Sequence, residues 1–457
     1  MKINGATKNA TNGANGANGA AHGANGANGP NGVNGHTKKQ RKARLATGGD
    51  VMAALDVGTT KVCCFIARRG EDGRPRVVGI GHQLSRGLRG GAIVDMEAAE
   101  ASILAAVHAA EQMAGETLRD VTVNVAGGHP ASQTIGVEVA IAGHEVGDGD
   151  LRRVLDQGQS YDSSPDRRLI HSIPVGYTID GSRGIRDPRG MYGERLGVDM
   201  HVVTAAAGPV RNLSTCIARS HLDIRSLVVS PYAAGLSALV DDEMDLGVCV
   251  VDMGGGTTTL AVFFDGNVVY TDSIPIGGQH VTSDIARGLS TPLAHAERMK
   301  TLYGNCVASP ADEREMITVP QVGEEDQAQA NTIAKSILVG IIQPRLEETF
   351  ELVRSRLEVS GFDKIAGRRI VLTGGASQLA GVRELAQLVL DKQVRMGRPI
   401  RISGLAEATG GPAFAVAAGL ITYAHRVAAE QPRAARAHGD TSSGLFGRLG
   451  NWLRENF

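Results

Sequence analysis

Asp56-Val57-Gly58-Thr59-Thr60-Lys61 lies between two apolar runs, Val51–Leu55 and Val62–Ala67, and a near copy of the arrangement returns in the second half of the chain. There Val248–Val251 is apolar, Asp252-Met253-Gly254-Gly255-Gly256-Thr257-Thr258 turns, and Leu260–Phe264 is apolar again. Each unit reads as strand–turn–strand. The shared lettering, an aspartate, glycine and two threonines, predicts an internal duplication of two α/β halves. A third apolar run, Arg369–Leu372, opens onto Thr373-Gly374-Gly375-Ala376-Ser377 and then a helical stretch, Gln378–Val389.

Such turns carry chemistry. Glycine lets the backbone come close to a ligand, and successive N–H groups form a concave anion nest. Threonine hydroxyls add donors. An aspartate leading the turn can hold Mg2+ beside phosphate oxygens, directly or through water. Gly58, Thr59 and Thr60 are therefore candidate phosphate ligands, opposed by Gly254, Gly255, Gly256, Thr257 and Thr258. Asp56 and Asp252 are the candidate metal carboxylates. The turn Gly374-Gly375-Ala376 would let a flat base or ribose lie against the backbone. Three turns in this order predict a nucleotide held between two lobes; the plainer alternative is three tight turns. No GxxxxGK[ST] loop, no GxGxxG opening a helix, no GxSxG elbow, no HExxH and no paired-cysteine zinc spacing occurs.

The rest of the chain fits an α/β reading. Its 457 residues predict two to four packed units. Hydrophobic residues make up 42% and charged residues 21%, as in a globular protein. A net charge of -1 leaves no bulk basic field, so no nucleic-acid partner is expected. No apolar window reaches spanning length, and the polar N-terminus is unlike a secretory signal. The five cysteines form no CxxC pair and read as reduced, mostly buried thiols. Arg76–Gly81 is a further expected strand. Helices are expected at Glu97–Ala114, Asp148–Ser160, Thr332–Ile342 and Ala413–His425, and at Pro344–Leu357 with Pro344 in its first turn.

Both ends differ from this pattern. Residues 1–50 repeat Asn-Gly-Ala, close with the basic run Lys38–Arg44, and hold seven Lys/Arg in all against one acid, Asp50. They read as a disordered basic tail, either a solvated extension or one that clings to anionic surfaces. After His425 a linker runs to about Ser443. Gly444–Phe457 then reads GLFGRLGNWLRENF. At 100° per residue Leu445, Phe446, Leu449, Trp452, Leu453 and Phe457 fall within about 140° of arc, opposite Arg448, Asn451, Arg454 and Glu455. This predicts an interfacial membrane helix, with the chain's only tryptophan among its apolar residues.

Together these motifs resemble the actin and heat-shock-chaperone ATPase superfamily. The two Asp-led turns match its phosphate motifs, Lys61 included, and Thr373–Ser377 its adenosine motif. Pro231–Gly235 and Ala413–Gly419 are similar to its two connecting helices, and Glu297-Arg298-Met299-Lys300 to its ribose- and adenine-contacting helix. Within it, Ser85–Leu88, His171–Pro174, Leu246–Thr258 and Gly278–Gly288 resemble the bacterial cell-division FtsA family. The resemblance implies an actin-like two-lobed fold: subdomain IA at about 51–84 and 166–237, an FtsA-type IC at 85–165, IIA at 238–284 and 341–424, and IIB at 285–340. It implies ATP and Mg2+ in the cleft, with Glu297 and Lys300 added to the nucleotide site. It further implies self-assembly, an FtsZ C-terminal tail bound at IIB, other division proteins at IC, and a peripheral position on the inner membrane at the septum. The superfamily also holds small-metabolite kinases and other filament-forming ATPases, which stay as alternatives. Ser230 stands where hydrolytic relatives often carry a glutamate. A hydroxyl cannot serve as a carboxylate base, so weak or no ATPase turnover is expected.

Overall fold

A computed structural model describes residues 51–159, 164–323 and 331–430. The tail 1–50 and the terminal segment 431–457, with its expected membrane helix, lie outside the described residues. Antiparallel strands β1 (Val51–Val57), β2 (Lys61–Arg69) and β3 (Pro75–Leu84) begin the fold. A short hairpin, β4 (Leu88–Arg89) and β5 (Ala92–Ile93), leads to helix α1 (Met96–Ala114). Asp95 caps α1 by accepting from the Ala98 N–H at 3.1 Å, and Gly115 ends it in the left-handed region. Strand β6 (Asp120–Val125) then joins β1 in parallel.

A separate sheet follows, made of β7 (Ala131–Ala140), β8 (Arg167–Ile179), β9 (Ser182–Ile185) and β10 (Arg195–Ala206), ordered β7-β10-β8-β9. Helix α2 (Asp148–Gln159) buries Val154 and Leu155 in its core. Helix α3 (Ala207–Arg219) and strand β11 (Asp223–Val229) return to the first sheet. Helices α4 (Ser230–Ala238) and α5 (Asp241–Leu246) lead into the second half.

That half repeats the first. Strands β12 (Val248–Met253), β13 (Thr258–Phe264) and β14 (Asn267–Ile274) are antiparallel. Helices α6 (Gly278–Gly288) and α7 (Leu293–Tyr303), strands β15 (Met316–Val319) and β16 (Asn331–Ala334), and helix α8 (Lys335–Ser360) follow. Then come β17 (Arg369–Thr373), α9 (Val382–Leu390), β18 (Gln393–Met396) and α10 (Ala415–Glu430). The two five-stranded sheets run β3-β2-β1-β6-β11 and β14-β13-β12-β17-β18. Each is an antiparallel trio extended by two parallel strands from the hairpin's first strand. The duplication read from two turns thus extends to whole sheets.

The continuous apolar runs follow from burial on both faces. Leu55, Val62, Cys64 and Ile66 pack with Ile103, Ala106 and Val107 of α1. The alternating Ala54, Cys63, Phe65 and Ala67 face the opposite way, toward Ala415, Ala417 and Ile421 of α10. Val248 and Val250 of the second sheet join that same central cluster, so one core serves both halves. Helix α4 leaves the first sheet and packs on β12 and β13; α10, in the second half, packs on β1 and β2. The two helices cross where Gly419 meets Ala233: a Cβ there would lie 1.7 Å from the Ala233 carbonyl oxygen. All five cysteines are fully buried. Burial pushes Cys63, Cys249 and Cys306 up to about 12 and Cys216 up to about 11, and raises Cys64 further.

Two local expectations are corrected. Thr332–Ile342 and Pro344–Leu357 are not two helices: Asn331–Ala334 is a strand, and α8 then runs unbroken with Pro344 inside it. Leu338, Ile342, Leu346, Phe350 and Val353 form one buried stripe, and that packing outweighs the hydrogen bond proline removes. The stretch Gln378–Val389 is broken into a 3-10 turn at Ala376–Gln378 and α9, because Gly381 takes φ +76° against Asn305. Helix α1 and β6 belong with the first sheet, whereas the separate sheet takes in 131–206.

Candidate functional site

Both Asp-led turns sit at the ends of central strands, β1 and β12, and they meet. Each is closed by its own backbone bond, Gly58 N to Lys61 O at 2.9 Å and Gly254 N to Thr257 O at 2.9 Å. A Cβ on Gly255 would lie 2.4 Å from the Thr60 methyl, and one on Gly256 would lie 2.5 Å from Thr59 Oγ1. Only glycine allows this approach of the two turns. Thr59 is buried, its hydroxyl accepting from the Gly91 N–H at 2.9 Å. Thr258, also buried, donates to the Ile276 carbonyl at 2.8 Å. Those two hydroxyls hold the loops in shape, while Thr60 is exposed and Thr257 half-buried.

The third turn joins them through the sheet. Asp252 pairs with Thr373 between parallel strands β12 and β17. Gly374 adopts φ +86°, and a Cβ there would lie 2.4 Å from the Met253 carbonyl and 2.6 Å from Asp252 Oδ1. Gly375 beside it faces open space. A flat ligand can therefore rest on Gly375 while Gly374 anchors the turn. The first turn of α6 closes the far side, with Gly278 N donating to Gly254 O at 3.0 Å and Gln279 N to Gly255 O at 2.8 Å. Lys300 and Glu297 of α7 reach the same place: Lys300 Nζ donates to Gly278 O at 3.1 Å and to Glu297 Oε2 at 2.7 Å. Thr282 donates to Glu297 Oε2 at 2.5 Å. A Cβ on Gly278 would lie 3.1 Å from Ala376 Cβ and 3.7 Å from Lys300 Nζ, so the α7 pair borders the third turn.

Electrostatics single out the carboxylates. Asp56 and Asp252 are both buried. Burial raises Asp56, with Lys61 opposing. Burial first, and repulsion from Asp56 second, push Asp252 up to about 7, again opposed by Lys61. The Lys61 ammonium donates to the Ala413 carbonyl and lies 4.0 Å from the Phe414 ring centroid, just ahead of α10. Two buried acids facing each other with one tethered lysine form a site that a divalent cation would relieve. Among the described residues no three side chains form a metal cluster, so such an ion would keep water or ligand oxygens, as Mg2+ does.

This has a pH consequence. An ordinary aspartate titrates near 3.9 when unfolded, whereas folded Asp252 titrates near 7. Between those values the folded chain holds the extra proton, so raising the pH costs stability. The ligand-free protein is expected to lose a few degrees of Tm from pH 5 to pH 8, and Asp252→Asn should flatten that slope. A scanning fluorimetry series that shows equal slopes would refute the assignment.

Sequence reasoning missed Asn124. Its Oδ1 accepts from the Val57 N–H at 2.7 Å, and its Nδ2 donates to Ser230 Oγ at 3.2 Å, all buried. It thus fixes the start of the first turn from β6. A lone asparagine in an apolar strand, Asp120–Val125, was the only available signal. The six tail residues expected at a membrane, Leu445, Phe446, Leu449, Trp452, Leu453 and Phe457, lie outside the described residues.

Comparison with known proteins fits this architecture. The sequence model "Cell division protein FtsA" matches residues 249–419, and "SHS2 domain inserted in FTSA" matches 127–204, the region of the separate sheet. The chain is 45% identical over 421 residues to the cell division protein FtsA of Agrobacterium fabrum, covering 89% of this chain and 95% of that protein. It is 36% identical over 414 residues to that of Pseudomonas aeruginosa, covering 90% and 99%. Among solved structures, the PilM-PilN type IV pilus biogenesis complex superposes with a TM-score of 0.58 at 19% identity, over 81% of this chain and 98% of that one. The fold is thus the expected α/β, actin-like one. With identity at this level over nine-tenths of its length, the chain belongs to the FtsA family of bacterial cell division proteins.

Proposed function

We propose that this chain binds ATP with Mg2+ between its two lobes, self-assembles, and tethers FtsZ filaments to the cytoplasmic membrane at the septum, where it helps recruit later division proteins. The observation that carries the nucleotide reading is the meeting of the two Asp-led turns, with Gly375 open beside them. Gly58, Thr60, Lys61, Gly254–Thr257, Gly374–Ala376, Glu297 and Lys300 would bind the nucleotide. Thr59 and Thr258 would shape its loops, and Asp56 and Asp252 would hold the ion. When bound, Mg2+ would neutralise phosphate charge. The chain's own part is to orient the phosphates and exclude water. Ser230 is buried on Asn124 and presents no carboxylate, which supports a nucleotide switch rather than fast turnover. The subdomain layout is proposed with one change: the IC insert is 127–206, and α1 and β6 go to IA. IC then supplies the surface for other division proteins and IIB the surface for the FtsZ tail.

The membrane reading rests on the terminal sequence and on weak anchors multiplied by assembly. Among the described residues no helix is long and apolar enough to cross a membrane, which fits a peripheral protein. In the deciding experiment FtsZ filaments are mixed with anionic vesicles, ATP and the full chain. Filaments are expected on the vesicles, with the chain in ordered rows by electron microscopy; no recruitment would refute tethering. Trp452→Glu places a charge on the inserting face and should weaken vesicle binding about tenfold, at a cost of ~1–3 kcal/mol near the interface. Emission of the sole tryptophan should shift to the blue on vesicles. If it does not move, and Trp452→Glu still pellets, the anchor moves to Lys38–Arg44.

A further inference from the structure

On the face away from the three turns, a cavity of about 350 Å³ opens between the β2–β3 turn, the start of α5, the segment after β18 and the last turns of α10. That volume lies within the ~300–1,000 Å³ range of small-ligand sites. Its charged lining is Arg74, Arg401, Arg426, His425 and Asp241. Arg401 is already placed, donating to Asp241 Oδ1 at 2.6 Å and to the Leu239 carbonyl at 3.0 Å. Arg401 first, and Arg426 with it, holds the Asp241 carboxyl below its usual range. The Arg74 guanidinium is exposed and makes no hydrogen bond or ion pair among the described residues. The Nε2 of His425 is buried and has no hydrogen-bond partner among them. Three guanidinium groups and one carboxylate thus line the same cavity, with unused N–H forks and an unsatisfied ring nitrogen beside them.

We propose that this cavity is a binding site for a phosphomonoester. Guanidinium forks match phosphate oxygens in pairs, and a point-charge ligand would leave that geometry unused. A phosphomonoester carries close to two negative charges at pH 7, which matches the cationic excess. Arg401, held by Asp241 and Leu239, forms the fixed wall. Arg74 and Arg426 supply the forks, and His425 donates from a ring nitrogen. The ester could belong to a soluble metabolite or to a lipid headgroup. Helix α10 ends at Glu430, five residues beyond His425, so the chain leaves toward residues 431–457 from beside this cavity.

The test uses the full chain with excess ADP present, so that the inter-lobe site is filled. Two probes are titrated: glycerol 1-phosphate by calorimetry, and phosphatidylcholine vesicles with or without phosphatidic acid by co-sedimentation. Arg74→Gln/Arg426→Gln is compared with Arg152→Gln/Arg183→Gln, a pair of exposed arginines on the insert. Both doubles should melt like the parent, since none of these side chains makes a hydrogen bond within the described structure. The cavity double is expected to bind glycerol 1-phosphate at least tenfold more weakly, with the control unchanged. Loss of the phosphatidic-acid preference in the cavity double alone assigns the site to a headgroup. Retention of that preference, with soluble binding lost, assigns it to a free phosphomonoester. If neither probe separates the cavity double from the control, or the parent binds neither probe, the proposal is overturned.

Discussion

Asp252→Ala is expected to lower the affinity for ATP roughly tenfold to a hundredfold when Mg2+ is present, and to leave metal-free binding unchanged or slightly tighter. The asymmetry comes from the carboxylate pair. Asp252 and Asp56 repel each other in a buried setting, so losing one relieves the ligand-free protein. On the proposed reading, with Mg2+ bound, the same carboxylate would hold the ion or orient a water on it. A charged hydrogen bond of that kind is worth ~1.5–3 kcal/mol, roughly tenfold to a hundredfold in affinity. The variant should also melt no lower than the parent without nucleotide, because it removes a buried acid. Calorimetric titrations with and without Mg2+ read both signs. Equal losses under the two conditions would mean a damaged fold, and no loss in either would take Asp252 out of the site.

Gly419→Leu is expected to destabilise the chain by about 3 kcal/mol or more, at the upper end of what overpacking costs. Even a single methyl would sit 1.7 Å from the Ala233 carbonyl, inside contact distance of a rigid helix backbone. Neither partner is the far end of a flexible side chain, so α4 and α10 must separate. Separation opens the central core, where Ala233, Ala234, Ala415, Ala417 and Ala418 are wholly buried between the two sheets. Nucleotide affinity should fall with stability, since Lys61 bonds to Ala413 just ahead of α10. A urea melt within 1 kcal/mol of the parent would show that the helices can slide apart without cost.

The turns were readable because each needs glycine for a backbone reason that leaves a mark in the lettering. Gly255 and Gly256 face the opposite turn, and Gly374 needs a positive φ. Two copies of one pattern then gave the duplication. What was not readable depends on packing between distant segments. Nothing beside Pro344 announces that a buried stripe carries α8 through it. Asn124 lies 67 residues from the Val57 N–H it accepts from, and 106 from Ser230. Where the separate sheet begins is likewise hidden, because α1 and β6, met along the chain before it, pack with the first sheet. Strand order across a sheet is a long-range property that local periodicity does not encode.

The five buried thiols make the folded chain a silent target for alkylating reagents. Only the thiolate attacks, and each thiol is both shielded and held in its neutral form. Cys64 and Cys216 belong to the core under α1, Cys63 to the shared central core, and Cys249 and Cys306 to the core of the second half. Pulsed alkylation read by peptide mass would therefore time the opening of each core separately, with no label introduced. A ligand that clamps the two halves should slow Cys63 most, because its core is the one that both sheets build.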